Sequence, residues 1–149
     1  AVNSMKVKDC MCHDVTYVTP ECSVQQCAKL MCNNHIGCVP VCNAQKQVIG
    51  LVTDRDLILR TVGCGKEIEN TPVGDIMTGN VCCCTPDADV CEAEKLMSDN
   101  QVRRLPIIEN NKIIGILTLG DLAANTNVKT DGVISTLENI CGCDKKNAE

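Results

Sequence analysis

The chain repeats itself. At an offset of 66 residues, Val7, Asp9, Met11, Val15, Thr19, Pro20, Val24, Lys29, Leu30, Met31, Asn34, Pro40 and Lys46 meet Val73, Asp75, Met77, Val81, Thr85, Pro86, Val90, Lys95, Leu96, Met97, Asn100, Pro106 and Lys112. After a one-residue deletion, Gly50, Thr53, Asp56 and Leu57 meet Gly115, Thr118, Asp121 and Leu122. A repeat of this length is two copies of one supersecondary unit packed with pseudo-symmetry. Pseudo-twofold packing would set equivalent loops side by side, so a ligand is expected in the cleft between the copies.

Each copy reads β-α-β-β-α, an α/β fold built in tandem. Val7–Met11 and Val73–Met77 open the copies with a turn of helix. Short β runs follow, Val15–Val18 and Val81–Cys84, each ending in Thr-Pro. Ser23 caps the next helix, and Val24, Cys27, Ala28 and Met31 fall on one face at i, i+3, i+4 and i+7. Asp89 caps its counterpart, with Val90, Ala93, Leu96 and Met97 as the stripe. Cys38–Cys42 with Val48–Thr53, and Leu105–Ile108 with Ile113–Thr118, read as hairpins around polar turns. Helices Asp54–Val62 and Leu119–Ala124 close the copies. Residues 5–62 are thus repeat one, 63–72 a Gly- and Pro-marked linker, 73–126 repeat two, and 127–149 a last amphipathic helix (Asp131–Ile140) with a frayed polar tail. Ala1–Ser4, ahead of Met5, reads as a cloning remnant.

Composition narrows the function classes. A net charge of −5 argues against a non-specific nucleic-acid binder, which needs a basic face. No apolar run approaches the roughly 20 residues of a membrane span, and no signal peptide is read, so a cytoplasmic protein is expected. Tyr17 is the single aromatic, so the core must be aliphatic and sulfur-rich. In a reduced compartment the fourteen cysteines read mainly as small packing residues. Cys10, Cys22, Cys27, Cys42 and Cys84 face Ile76, Ala88, Ala93, Ile108 and Val18 in the other copy. No Cys-x-x-Cys occurs, so the strongest zinc or redox spacing is missing. Cys-x-Cys at 10/12, 82/84 and 141/143 keeps a thiol- or metal-sensing protein open as the competing class.

Both copies end in Gly-φ-φ-Thr-x-x-Asp: Gly50 to Asp56, and Gly115 to Asp121. At a strand-to-helix junction this is a capping box, Thr at N-cap and carboxylate at N3. The same geometry suits a nucleotide. A helix N-terminus attracts an anion, and a carboxylate one turn in can accept from ribose hydroxyls, as in dinucleotide folds. No nucleophile–base pair suggests an enzyme.

The duplication, the Thr-x-x-Asp ends, Asp75-Ile76-Met77-Thr78, Val102-Arg103-Arg104-Leu105-Pro106 and the element order together resemble a cystathionine-β-synthase (CBS) domain pair, or Bateman module. The resemblance spans about Val7 to Asn125. It implies a non-catalytic regulatory module that binds AMP, ADP, ATP or S-adenosylmethionine between the copies, requires no cofactor, and signals to a partner protein. It implies two quasi-symmetric sites. One takes Thr118 and Asp121, with Ile116 beside the base and a wall from Cys12, His13, Val15, Thr16, Ile36 and Gly37. The other takes Thr53 and Asp56, with Leu51, Thr78, Asn80, Val81, Val102 and Arg103. Resemblance to the γ subunit of AMP-activated protein kinase implies an anion role for Arg103 and Arg104, and guanidinium groups suit phosphate. Copy one has Gly37-Cys38 there, so decay of a site is a further alternative; Arg55 is a candidate to compensate. His35, opposite Gln101, reads as a surface residue. The two helical stripes and the thin core imply a homodimer.

Overall fold

The computed structural model describes residues 5–148, with side chains described for residues 5–141. The helices are α1 (Val24–Asn34), α2 (Asp54–Arg60), α3 (Val90–Asn100), α4 (Leu119–Ala124) and α5 (Thr130–Ala148); the strands are β1 (Cys38–Cys42), β2 (Val48–Thr53), β3 (Arg104–Glu109) and β4 (Lys112–Thr118). β1 pairs antiparallel with β2, and β3 with β4, each hairpin carrying a register shift near its turn. The fold class is therefore the expected α/β repeat.

The compact units do not follow the repeats. One, the central unit, is Thr16–Val81; the other, the split unit, joins the chain up to Val15 with Cys82 onward. The opening segment of each repeat has been exchanged. Val7 N–H donates to the Ala88 carbonyl and Cys12 N–H to Ile116, within the split unit. Val73 N–H donates to Cys22, and Leu51 and Thr78 exchange both backbone bonds at 2.9 and 2.8 Å, within the central unit.

Local chemistry fixes the helix ends. Ser23 Oγ accepts from Gln26 N–H at 3.1 Å while Gln26 Oε1 accepts from Ser23 N–H at 3.0 Å, a reciprocal capping box. Asp89 caps α3 through the Cys91 N–H at 2.8 Å. α1 and α3 end on left-handed residues in matching places, His35 (φ 54°) and Gln101 (φ 55°). Ile36 and Val102 then donate back to Met31 and Met97, and their side chains pack on the cores, completing Schellman-type ends.

The expected strands Val15–Val18 and Val81–Cys84 shrink to single parallel bridges, Val18 with Val41 and Cys84 with Ile107. Prolines explain this. Val18 donates to the Pro40 carbonyl and accepts from Cys42. Extending the ladder needs an N–H from Pro40 at one end and from Pro20 at the other, and neither has one. Pro106 and Pro86 stop the second copy in the same way. α2 ends at Arg60 rather than Val62, and α5 runs on to Ala148, through the segment expected to fray.

Each unit has its own aliphatic core. Val24, Cys27, Met31, Val39, Val41, Val52, Leu57, Val73 and Ile76 form the central one. Val7, Met11, Val90, Ala93, Met97, Leu105, Ile107, Leu117 and Leu122 form most of the split one, joined by Val133 and Ile140 of α5. Each fully buried large aliphatic contributes roughly 1.5–3 kcal/mol. The stripes on α1 and α3 are spent here, so they do not supply the surface expected to pair two chains. Exposed apolar side chains stand instead at Ile58, Leu59 and Val62.

Close approach explains the glycine of the repeated motif. A Cβ on Gly115 would stand 2.8 Å from Met11 Sδ and 2.9 Å from the Cys12 carbonyl oxygen, and one on Gly50 would collide with Met77. The exchanged segments can cross the hairpins only because these positions lack side chains.

Candidate functional site

In the split unit, β4 delivers Thr118 to the N-cap of α4. Thr118 Oγ1 accepts from Asp121 N–H at 3.0 Å, and Asp121 Oδ2 accepts from Thr118 N–H at 2.9 Å. Leu119 N–H donates to the Arg103 carbonyl at 2.9 Å. No described side chain caps the exposed Gly120 N–H between them. Asp121 uses one oxygen in the box, which leaves acceptor capacity on a carboxylate with about four lone-pair sites. Ile116 lies two residues back on β4, bridged through both backbone bonds to Cys12. Arg104 sits directly across from Thr118 in the hairpin register. Arg103, Arg104, Thr118, Leu119 and Gly120 also line an open cavity of about 440 Å³, with Val133 and Leu137 of α5 on its wall. There the Arg103 guanidinium approaches Cys141 Sγ at 4.0 Å.

The central unit repeats this geometry with different surroundings. Thr53 and Asp56 form the same box, at 3.1 Å in both directions. Asp54 N–H donates to the Gly37 carbonyl, the counterpart of Leu119 to Arg103. Here, however, Arg55 N–H is capped by Asp54 Oδ1 at 2.8 Å. Arg60 reaches back one turn to Asp56 Oδ1 at 3.7 Å, and also donates to the Ile76 carbonyl at 2.9 Å and to Thr78 Oγ1 at 3.3 Å. Thr78 Oγ1 in turn stands 3.5 Å from Asp56 Oδ2. Three of this helix's free groups and most of its carboxylate are thus engaged from within the unit.

The structure therefore gathers Thr118, Asp121, Ile116, Cys12 and Arg104 on one hairpin end, and Thr53, Asp56, Leu51 and Thr78 on the other. Val15, Val102 and Arg103 belong with the split unit; Thr16, Ile36, Gly37, Asn80 and Val81 belong with the central unit. Asn80 takes a left-handed turn (φ 50°). His13 is exposed and lines a shallow cavity of about 310 Å³ with Lys8, Asp87 and Glu109, rather than with Thr118. His35 is exposed at the end of α1. Arg60 was missed by sequence reasoning, although its i+4 spacing from Asp56 announces the pair. Its counterpart, Asn125, donates to Cys10 Sγ at 3.6 Å.

The buried thiols behave as packing residues, while Cys12, Cys32, Cys64 and Cys91 are exposed. Burial pushes Cys27 up to about 11, with Cys22 and Cys38 adding to the effect. Burial likewise raises Cys10, helped by the Asp9 and Asp121 carboxylates. Raised thiols are poor nucleophiles and ligands. Among the described residues, no group of three His, Cys, Asp or Glu side chains is placed to hold a metal ion. No helix among them is long and apolar enough to cross a membrane.

Tandem hairpin–helix units with a Thr-x-x-Asp end on each define a class, and the comparisons agree. The CBS domain family matches residues 7–63 and 73–125, and the chain belongs to that family. It is 38% identical over 134 residues to the CBS domain-containing protein YhcV of Bacillus subtilis, covering 90% of this chain and 94% of that one. Among solved structures, Hypoxic Response Protein I with two coordinated zinc ions superposes with a TM-score of 0.74 at 27% identity, over 80% of this chain and 97% of that chain. The CBS domain pair of protein MJ0100, solved with 5′-methylthioadenosine and S-adenosyl-L-methionine, gives a TM-score of 0.72 at 21% identity over 80% and 94%.

Proposed function

We propose that this CBS-domain protein is a non-catalytic regulatory module in the cytoplasm that binds an adenosine-containing ligand and signals to a partner protein. AMP, ADP, ATP and S-adenosylmethionine are the candidates. Thr118 and Asp121 are the principal anchor: Asp121 for the ribose hydroxyls, Ile116 beside the base, and Arg104 with the Gly120 N–H for phosphate. The observation that carries this reading is the difference between the two repeated ends. Among the described residues no cation pairs with Asp121, whereas Arg60 holds Asp56. The ligands of the MJ0100 domain pair are adenosine compounds, which is the class taken here.

Pairing of two chains is part of the proposal, through the exposed Ile58, Leu59 and Val62. Native mass spectrometry of the purified protein tests the ligand class. A mass increment of an adenine nucleotide or of S-adenosylmethionine supports the reading. A zinc increment alone would favour the metal-sensing alternative, and no increment from any of the four compounds would favour a decayed interaction module.

A further inference from the structure

α5 follows the second repeat and has no equivalent after the first. The two closing helices therefore differ in what lies over them. In the split unit, Gly120 and Ala123 of α4 line the open cavity whose wall carries Val133 and Leu137 of α5. Leu57 matches Leu122, so Arg55 and Ile58 of α2 are the counterparts of Gly120 and Ala123. In the central unit the linker crosses the start of α1, where the Val24 and Gln25 N–H groups donate to the Thr71 and Ile68 carbonyls. The outer face of α2 is left open: Ile58, Leu59 and, just past the helix end, Val62 are 60%, 51% and 71% exposed. Arg55 stands three residues before Ile58 and four before Leu59, which puts it on the same face. Asp54, the acid beside it, is turned back on Gly37 and the Arg55 N–H.

α5 carries two strips. Val133, Thr136 and Ile140 are buried in the split unit. Ile134 and Leu137, three residues apart, form a second strip that is 48% and 43% exposed. Exposed Asp131 and Glu138 lie within one turn of Ile134 on either side. Among the described residues no ion pair holds Arg55, Asp131 or Glu138. The α2 face is thus apolar with a base at one end, and the α5 strip is apolar with acids at its ends. The two are complementary in polarity and in charge, whereas either face against itself would set like charges together. The repeat points the same way, since the equivalent face of α4 already has α5 beside it.

Resting on the reading that two chains pair through α2, we propose that the surface meeting α2 is α5 of the second chain. Ile134 and Leu137 seat on Ile58, Leu59 and Val62, and the acidic ends of the α5 strip meet Arg55. A two-fold pair forms this contact twice, each chain giving its α2 and its α5.

Sedimentation of the full chain at tens of micromolar tests this with Ile58→Lys, Ile134→Glu and the double variant. All three change exposed side chains, and thermal melting checks that they fold. Each single variant is expected to raise the dissociation constant of the pair at least about ten-fold. The double variant sets the introduced lysine against the introduced glutamate at both contacts, so it should pair more tightly than either single variant. If α2 instead meets α2 and α5 meets α5, the double variant repels at every contact and pairs more weakly than the singles, which overturns the proposal. A wild-type pair that Ile58→Lys breaks and Ile134→Glu leaves intact keeps pairing through α2 and overturns α5 as its partner. A monomeric wild type overturns the pairing reading and this inference with it.

Discussion

Arg60 Nη2 stands 3.7 Å from Asp56 Oδ1, one helical turn along α2, while the matching position after Asp121 holds the neutral Asn125. The pair is partly exposed and worth less than about 1 kcal/mol to stability. Its consequence is for binding: a ribose approaching Asp56 must first displace a guanidinium anchored at three points. Arg60→Asn, which copies the second repeat, is expected to raise ligand affinity at the Thr53–Asp56 end with little change in melting temperature. Calorimetry that detects a second binding event in the variant supports this. A loss of affinity would mean that Arg60 assists the ligand.

Arg104 faces Thr118 across the β3–β4 hairpin, and Arg103 is turned toward Cys141. Arg104→Ala should therefore weaken AMP but spare adenosine, because only the phosphate loses a charged partner. The expected loss for AMP is about ten-fold. Equal losses for the two ligands would remove Arg104 from the phosphate site.

Gly115→Ala places a methyl group against Met11 and the Cys12 carbonyl. The side chain can move; the backbone oxygen cannot move without opening the bridge between Cys12 and Ile116. Overpacking of this kind costs typically 1–3 kcal/mol, so urea denaturation should show a loss of about that size. A neutral substitution would contradict the packing of the exchanged segment on this hairpin.

Glu94 gives stability a pH dependence of known sign. Its folded pKa is raised above the unfolded value, so its contribution is fully present below the unfolded pKa and is lost as pH rises through the folded one. Glu94→Gln should match wild type in acid and exceed it in thermal stability near pH 8. The slope is at most about 1.4 kcal/mol per pH unit.

Much of this was legible in the sequence where local chemistry decides structure. The capping residues Ser23, Thr53, Asp89 and Thr118 and the hairpin of β1 and β2 follow from residue type and spacing. The shortened first strands were written there too, in Pro20, Pro40, Pro86 and Pro106, but only as missing donors in a ladder whose partner had to be known. The exchange of the opening segments is not local: nothing in Val7–Met11 says which hairpin it will join. The stripes on α1 and α3 marked apolar faces without saying what they would face, and they bury in their own units. The i+4 spacing announces the Arg60–Asp56 pair, but the bonds of Arg60 to Ile76 and Thr78 and the burial of Glu94 depend on what surrounds them, which spacing alone does not give.

The central claim is that Asp121 anchors an adenosine ligand as well as capping α4. Asp121→Ala loses the cap on either account, so a stability loss of about 1 kcal/mol decides nothing. Calorimetric titration of the folded variant with AMP, ADP, ATP and S-adenosylmethionine does decide. The account predicts that whichever compound binds the wild type will bind the variant at least about ten-fold more weakly, through lost bonds from the ribose hydroxyls. Unchanged affinity in a folded Asp121→Ala protein would leave Asp121 a capping residue and contradict the claim.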